Sequence, residues 1–132
     1  MDVSDLPTSM RVGYDYELVV DCCGKGPDRR NGVTVVPTAG DHRWNPDDLD
    51  RIVRLVTPRI QAGAFVLVHC RSGRSRSTTA AAAVLLATGW TDDPVKAVAA
   101  CQLPGSKPDT RCVKSLRLWW QGRVQPTLFA VP

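Results

Sequence analysis

Cys70 lies between an apolar run and a helix-forming run, in the stretch VLVHCRSGRSRSTTAAAAVLL (66–86). Arg71, Arg74 and Arg76 share the short loop that follows it, together with Gly73. A thiol among cations is a candidate thiolate. A free cysteine has a pKa of roughly 8.5, and a helix N-terminus with nearby cations lowers it toward about 3.5–7.5. The same loop is suited to an oxyanion. The first N–H groups of a helix have no partner within it, and a tight turn at Gly73 points further N–H groups at the same spot. Residues Arg71, Ser72, Gly73, Arg74, Ser75 and Arg76 are therefore expected to form a nest of donors for phosphate or sulfate. Arg76 is placed to close it, because a planar guanidinium takes two oxygens at once. A thiolate facing a bound phosphoryl group is a nucleophile aimed at phosphorus. The plainer reading is a small buried cysteine at a strand end.

The flanking elements would have to deliver these groups. AFVLVH (64–69) is a continuous apolar run, too short for a helix and without alternation, as in a parallel strand covered on both faces. It would bring Cys70 to the carboxyl edge of the sheet, where ligands bind in open α/β folds. Ser77 to Thr88 is apolar nearly all round and predicts a buried helix, with Gly89 at its end. Upstream, ELVVDCC (17–23) and VTVVP (33–37) predict short strands, separated by the turn cluster GKGPDRRNG (24–32). A helix is expected from Asn45 as cap and Pro46 as first residue, with Asp47 and Asp48 in its first turn. Its apolar face would be Ile52, Val53, Leu55, Val56 and Ile60, and Gly63 would stop it. Asp93 and Pro94 open a further helix. Asp109 begins a last one through Gln121, with Gly122 after it. Residues 1–15 read as an irregular entry and 123–132 as a loose tail. Alternating strands and helices give the α/β class, with a small, mostly parallel sheet flanked by helices, and a chain of 132 residues is expected to form one domain.

Composition narrows the function classes. At 43% hydrophobic and 23% charged, the chain has the make-up of a soluble globular protein. No run approaches the roughly 18 apolar residues of a membrane span, and the polar MDVSDLPTSM start is unlike a signal peptide. The five cysteines, Cys22, Cys23, Cys70, Cys101 and Cys112, are odd in number and contain no CxxC pair. That argues against a disulfide framework or a zinc site, and a reducing cytoplasm is expected. No cofactor and no metal are expected. A net charge of +4 favours acidic partners, phosphorylated substrates among them, although arginine as an ordinary surface cation explains it equally well. The arginines are scattered and aromatic residues few, so no nucleic-acid platform is expected. A monomer is expected.

HCRSGRSRS resembles the HCxxGxxR[S/T] signature of the cysteine-based protein tyrosine phosphatases, and the flanking VLVHC and SRSTT resemble its dual-specificity branch. His69, Cys70, Gly73, Arg76 and Ser77 match the fixed positions one by one. The resemblance implies that Cys70 is the nucleophile, that Arg76 binds the phosphate and that His69 orients the loop. It implies that Ser77 hydrogen-bonds the sulfur and helps it leave in a second step. It also implies an aspartate upstream, on a loop before a helix, as general acid and then base. Asp41 in GDHRWNP stands there; its plainer role is turn formation. His42, Arg43 and Trp44 would then be candidates for the substrate rim, and Trp44 equally a partly buried anchor. Some relatives have a cysteine in the neighbouring strand that pairs reversibly with the nucleophile, a role open to Cys22 or Cys23; two small buried residues are the alternative. Cys101 and Cys112 receive no role.

The resemblance covers roughly residues 17–118. It departs from the family pattern at CQLPGSKPD, where Pro108-Asp109 stands in place of Pro-Asn and the arginine before it is missing. What it implies is a metal-independent phosphomonoesterase acting on phosphorylated protein or peptide. Arg71 and Arg74 also resemble the cations of members that act on phosphoinositides or phospholipid headgroups. A more distant resemblance is to rhodanese-type sulfurtransferases, which usually carry the arginine one position earlier, where this chain has Ser75. A phosphate-binding but inactive relative is the non-enzymatic alternative.

Overall fold

The computed structural model describes residues 1–12, 15–23, 33–36 and 42–124. Asp41, the turn cluster 24–32 and residues 125–132 lie outside them. In chain order the elements are β1 (Asp2–Ser4), α1 (Leu6–Val12), β2 (Leu18–Asp21), β3 (Val33–Val35), α2 (Pro46–Gln61), β4 (Val66–His69), α3 (Arg76–Ala87), α4 (Pro94–Cys101) and α5 (Thr110–Val124). The strands form one sheet in the order β1-β4-β2-β3, with every pairing parallel. Among the described residues, no helix is long and apolar enough to cross a membrane.

The central strand explains itself. Every residue of β4 is buried, as is every residue of β2, so both read as apolar runs and not as alternating ones. Register puts Ser4, Asp21 and His69 side by side at one end. Because all strands run the same way, that end is the carboxyl edge of the sheet, and Cys70 emerges from its middle.

Two helices are capped as the sequence predicts. The Asn45 side chain accepts the Asp47 N–H at 2.9 Å, and the Asp93 side chain accepts that of Val95 at 2.9 Å. In α2, Leu49, Ile52, Val53 and Val56 are buried, a stripe at helical spacing. In α3, Ala80 to Ala83 are all fully buried, which lets the helix pack closely on its neighbours.

Two expectations need correction. The entry is not irregular: β1 and α1 occupy it. A three-residue strand containing an aspartate has little propensity of its own, and its hydrogen bonds come from β4, far along the chain. The last helix does not stop before Gly122 but runs on to Val124. Near its end Arg123 reaches Asp50 of α2 at 3.3 Å, Trp119 Nε1 donates to Asp50 at 2.9 Å, and within the helix Arg123 lies 5.3 Å from the Trp119 ring centre.

The added strand bears on the loop after β4. Gly73 has φ +69°, and a Cβ there would lie 2.9 Å from the Asp5 nitrogen and 2.9 Å from the Ser4 carbonyl carbon. The end of β1 thus abuts the loop glycine. Gly73→Ala is expected to cost about 1–3 kcal/mol through the left-handed backbone alone, with the backbone clash adding to it. Urea unfolding of the variant is the check; a variant as stable as the parent would mean that the loop does not press on β1.

Candidate active site

Cys70 is 1% exposed and follows directly from β4. Its Sγ lies 3.2 Å from the Ser77 Oγ, in the first turn of α3. Burial by itself raises a thiol's pKa. Here the Ser77 hydroxyl, the backbone N–H groups of Ser77 and Gly73 and the Arg76 guanidinium outweigh it and hold the Cys70 thiol below the ordinary range. The fall has a local origin. The turn at Gly73 and the start of α3 aim N–H groups inward, and these stabilise the anion and not the neutral thiol.

Around the sulfur is a pocket of about 220 Å³ lined by His42, Cys70, Ser72, Arg74, Ser75, Arg76 and Asp109. Two larger clefts, of about 670 and 600 Å³, share none of these residues. The small one is where the Cys70 thiol and the Arg76 guanidinium meet. Arg76 is half-buried, and one of its terminal nitrogens donates to the Cys23 carbonyl at 3.0 Å. That tether holds the guanidinium beside the end of β2 and against the pocket. Arg74 also lines the pocket, with its Nε donating to the Lys107 carbonyl at 2.7 Å, whereas Arg71 is exposed and outside the lining.

The loop is tied on several sides. Ser75 Oγ accepts the Asp109 N–H at 2.7 Å, joining the loop to the start of α5. Thr78 donates to the Gly73 carbonyl at 3.3 Å and Thr79 to the Ser75 carbonyl at 2.8 Å. His69 is fully buried. Its carbonyl accepts the Cys22 N–H at 2.8 Å, and its Nδ1 lies 4.0 Å from an Asp21 carboxylate oxygen. Asp21, 2% exposed, also accepts the Cys23 N–H at 2.7 Å. Asp21, Cys23 and His69 bring one donor atom each within 4.8 Å of one another. Three donors are one short of a closed zinc site, and Asp21 already serves the backbone that carries the Arg76 tether.

The rim is only partly as expected. His42 reaches the pocket, with φ +64° and a buried Nδ1 that has no hydrogen-bond partner among the described residues. Arg43 is exposed and outside the lining. Trp44 is no rim residue. It is 4% exposed, and its Nε1 donates to Thr79 Oγ1 at 2.7 Å. A large ring with one N–H is most stable buried with that N–H satisfied, so Trp44 anchors the loop before α2 onto α3. Asp47 and Asp48 sit in the first turn of α2 as predicted. Asp41 lies outside the described residues. Cys22 is fully buried, with its thiol pushed well above the ordinary range by burial and then by the Cys70 charge; Cys23 is half-buried, with its thiol pushed up to about 12, chiefly by burial and by Asp21.

Sequence reasoning missed two carboxylates. Asp21 had a signal: a charge inside an apolar strand must be stabilised by something there. Asp109 read only as a helix start, and it does accept the Arg111 N–H at 2.8 Å. Its carboxylate also walls the pocket, paired with the Arg111 guanidinium at 2.9 Å, which holds it well below the usual carboxylate range. Nothing in the local sequence places it beside Cys70, because the link runs through Ser75.

The parallel α/β sheet thus carries a buried, stabilised thiol at its carboxyl edge, beside an arginine. Residues 27–124 match the family model of the PTP-SAK group, described as the Swiss Army Knife protein, DSP-PTPase phosphatase domain, and the chain belongs to that family. The match sets aside the sulfurtransferase resemblance. No curated protein matches. Among solved structures, human DUSP28 is similar at a TM-score of 0.75 and 20% identity, over 96% of this chain and 94% of that one. PTPMT1 is similar at 0.74 and 17%, over 96% and 93%. Tk-PTP in its active form is similar at 0.72 and 20%, over 89% and 87%. At these identities the likeness is one of fold.

The Ser77 contact generates a pH prediction. The thiolate forms as pH rises through the Cys70 pKa, so alkylation by iodoacetamide should climb to its plateau at a midpoint below the roughly 8.5 of a free cysteine. Ser77→Ala removes a group that favours the anion, so the midpoint should move to higher pH. A midpoint unchanged by the substitution would take Ser77 out of the thiolate's support.

Proposed function

We propose that the protein hydrolyses phosphomonoesters of phosphorylated protein or peptide in two steps through phospho-Cys70, with phosphotyrosine as a substrate and phosphoserine or phosphothreonine within its range. The Cys70 thiolate attacks phosphorus. The S–P bond forms as the P–O bond to the leaving group breaks, and Asp41 gives that oxygen its proton. Asp41, now a carboxylate, takes a proton from water. The water oxygen attacks phosphorus, the S–P bond breaks and inorganic phosphate leaves. Ser77 hydrogen-bonds the departing thiolate, and Arg76 pairs with the phosphoryl oxygens in both steps.

What supports this reading above all is the sulfur: buried, yet held toward its anion by Ser77, Gly73 and Arg76 at a pocket of about 220 Å³. His42, the neighbour of Asp41, lines that same pocket, in keeping with an acid from this loop. A second reading, a phosphoinositide headgroup as substrate, is favoured by the exposed cations Arg71 and Arg74 of the loop after Cys70, and the structurally similar PTPMT1 has been seen in complex with PI(5)P.

Para-nitrophenyl phosphate separates active from inactive readings. Cys70→Ser should abolish turnover while vanadate still binds; undiminished activity would remove Cys70 as nucleophile. Asp41→Ala should slow hydrolysis by about 10²–10⁴, most for leaving groups of high pKa. An effect equal for all leaving groups would count against Asp41 as the acid.

A further inference from the structure

A second groove lies along α5, next to the site. Its volume is about 600 Å³, and its walls include Lys107, Pro108, Val113, Lys114, Arg117 and Leu118. The α5 residues among these fall on one stripe at helical spacing, facing away from the buried Cys112, Leu116 and Trp119. Leu118 is 59% exposed, large for an apolar side chain on a helix with a satisfied core face. Pro108, Val113 and Leu118 supply an apolar floor. Lys107, Lys114 and Arg117 supply cations, no carboxylate lines the groove, and none of the three has an acidic partner among the described residues.

The groove adjoins the phosphate pocket. Asp109 walls the pocket, and its chain neighbours Pro108 and Thr110 wall the groove. The Arg74 bond to the Lys107 carbonyl ties the two rims together at 2.7 Å. Resting on the phosphatase reading above, we propose that this groove docks the polypeptide flanking the phosphorylated residue of a protein substrate, and that it selects an acidic segment carrying one large apolar side chain. The acidic groups pair with Lys114 and Arg117, and the apolar side chain lies on Val113 and Leu118.

Shape favours a peptide over a membrane. A concave cleft with an apolar floor accepts single side chains, whereas a bilayer surface meets a flat or convex cationic face. The geometry also gives a spacing. From Thr110 to Leu118, α5 rises about 12 Å, which an extended peptide covers in about four residues. Measured from Thr110, the chain neighbour of the pocket-wall residue Asp109, an anchor on Leu118 therefore lies about four extended residues along the groove.

The test compares phosphotyrosine peptides carrying a Glu-Glu-Leu element about four residues away, on either side, with peptides in which Ser replaces that element. The acidic peptide on one side should show about tenfold higher kcat/KM, carried in KM and reduced by salt. Lys114→Glu with Arg117→Glu should erase that advantage and leave para-nitrophenyl phosphate turnover unchanged, since neither residue touches the phosphate pocket. Anisotropy of the labelled, unphosphorylated acidic peptide needs no turnover, so it distinguishes a failed groove from failed catalysis. Equal kcat/KM for all peptides, or an advantage that survives the double variant, would overturn the proposal. So would a variant impaired only on vesicles containing a phosphoinositide, which would assign the cations to a membrane.

Discussion

A thiol sealed from water resists ionisation, and the other cysteines of this chain show how strongly. Burial pushes Cys101 and Cys112 up to about 11 and Cys22 well above the ordinary range. Cys112 even has a hydroxyl beside it, Thr79 Oγ1 at 3.1 Å, and is still raised. Cys70 alone among them goes the other way. The difference is convergence: a hydroxyl, two backbone N–H groups and a guanidinium all face one sulfur. None of these suffices singly against desolvation, and together they make the anion the favoured form.

That convergence depends on parts distant in sequence. The loop can turn inward only because Gly73 takes a positive φ in a space bounded by the end of β1. Arg76 is tethered by the Cys23 carbonyl, whose own backbone is held by Asp21. Ser75 forgoes capping α3 and instead accepts from Asp109, so α5 is docked to the loop by the residue that would otherwise end it. Trp44 reaches across to Thr79, a residue that also bonds back to the loop at Ser75. A site supported by rigid elements on several sides keeps its geometry with little reorganisation when an oxyanion binds.

The placement of charge divides labour between the pocket and its surroundings. Within the pocket wall, the one added carboxylate, Asp109, is neutralised by Arg111, so an incoming phosphate meets a net positive field. Outside it, cations line an apolar groove on α5. The inner site recognises a group common to all phosphomonoesters. On the docking proposal, discrimination among substrates comes from the outer surface, where the cationic stripe lies.

Much of this was readable from residue order because it is local. The strand before Cys70, the helix after it, the Asn45 and Asp93 caps and the spacing from His69 to Ser77 each depend on neighbours within a few positions, where backbone geometry and hydrophobic period decide the outcome. That spacing also brings the Cys70 thiol and the Arg76 guanidinium into one pocket. What residue order could not decide was every contact closed over a long loop. β1 exists because β4 offers it a parallel partner; α5 outlasts Gly122 because Asp50 holds Arg123; Trp44 is an anchor because Thr79 is within reach; and Asp109 joins the site through Ser75. Short-range propensity is written in the chain, whereas the energy of these contacts appears only once packing has brought their partners together.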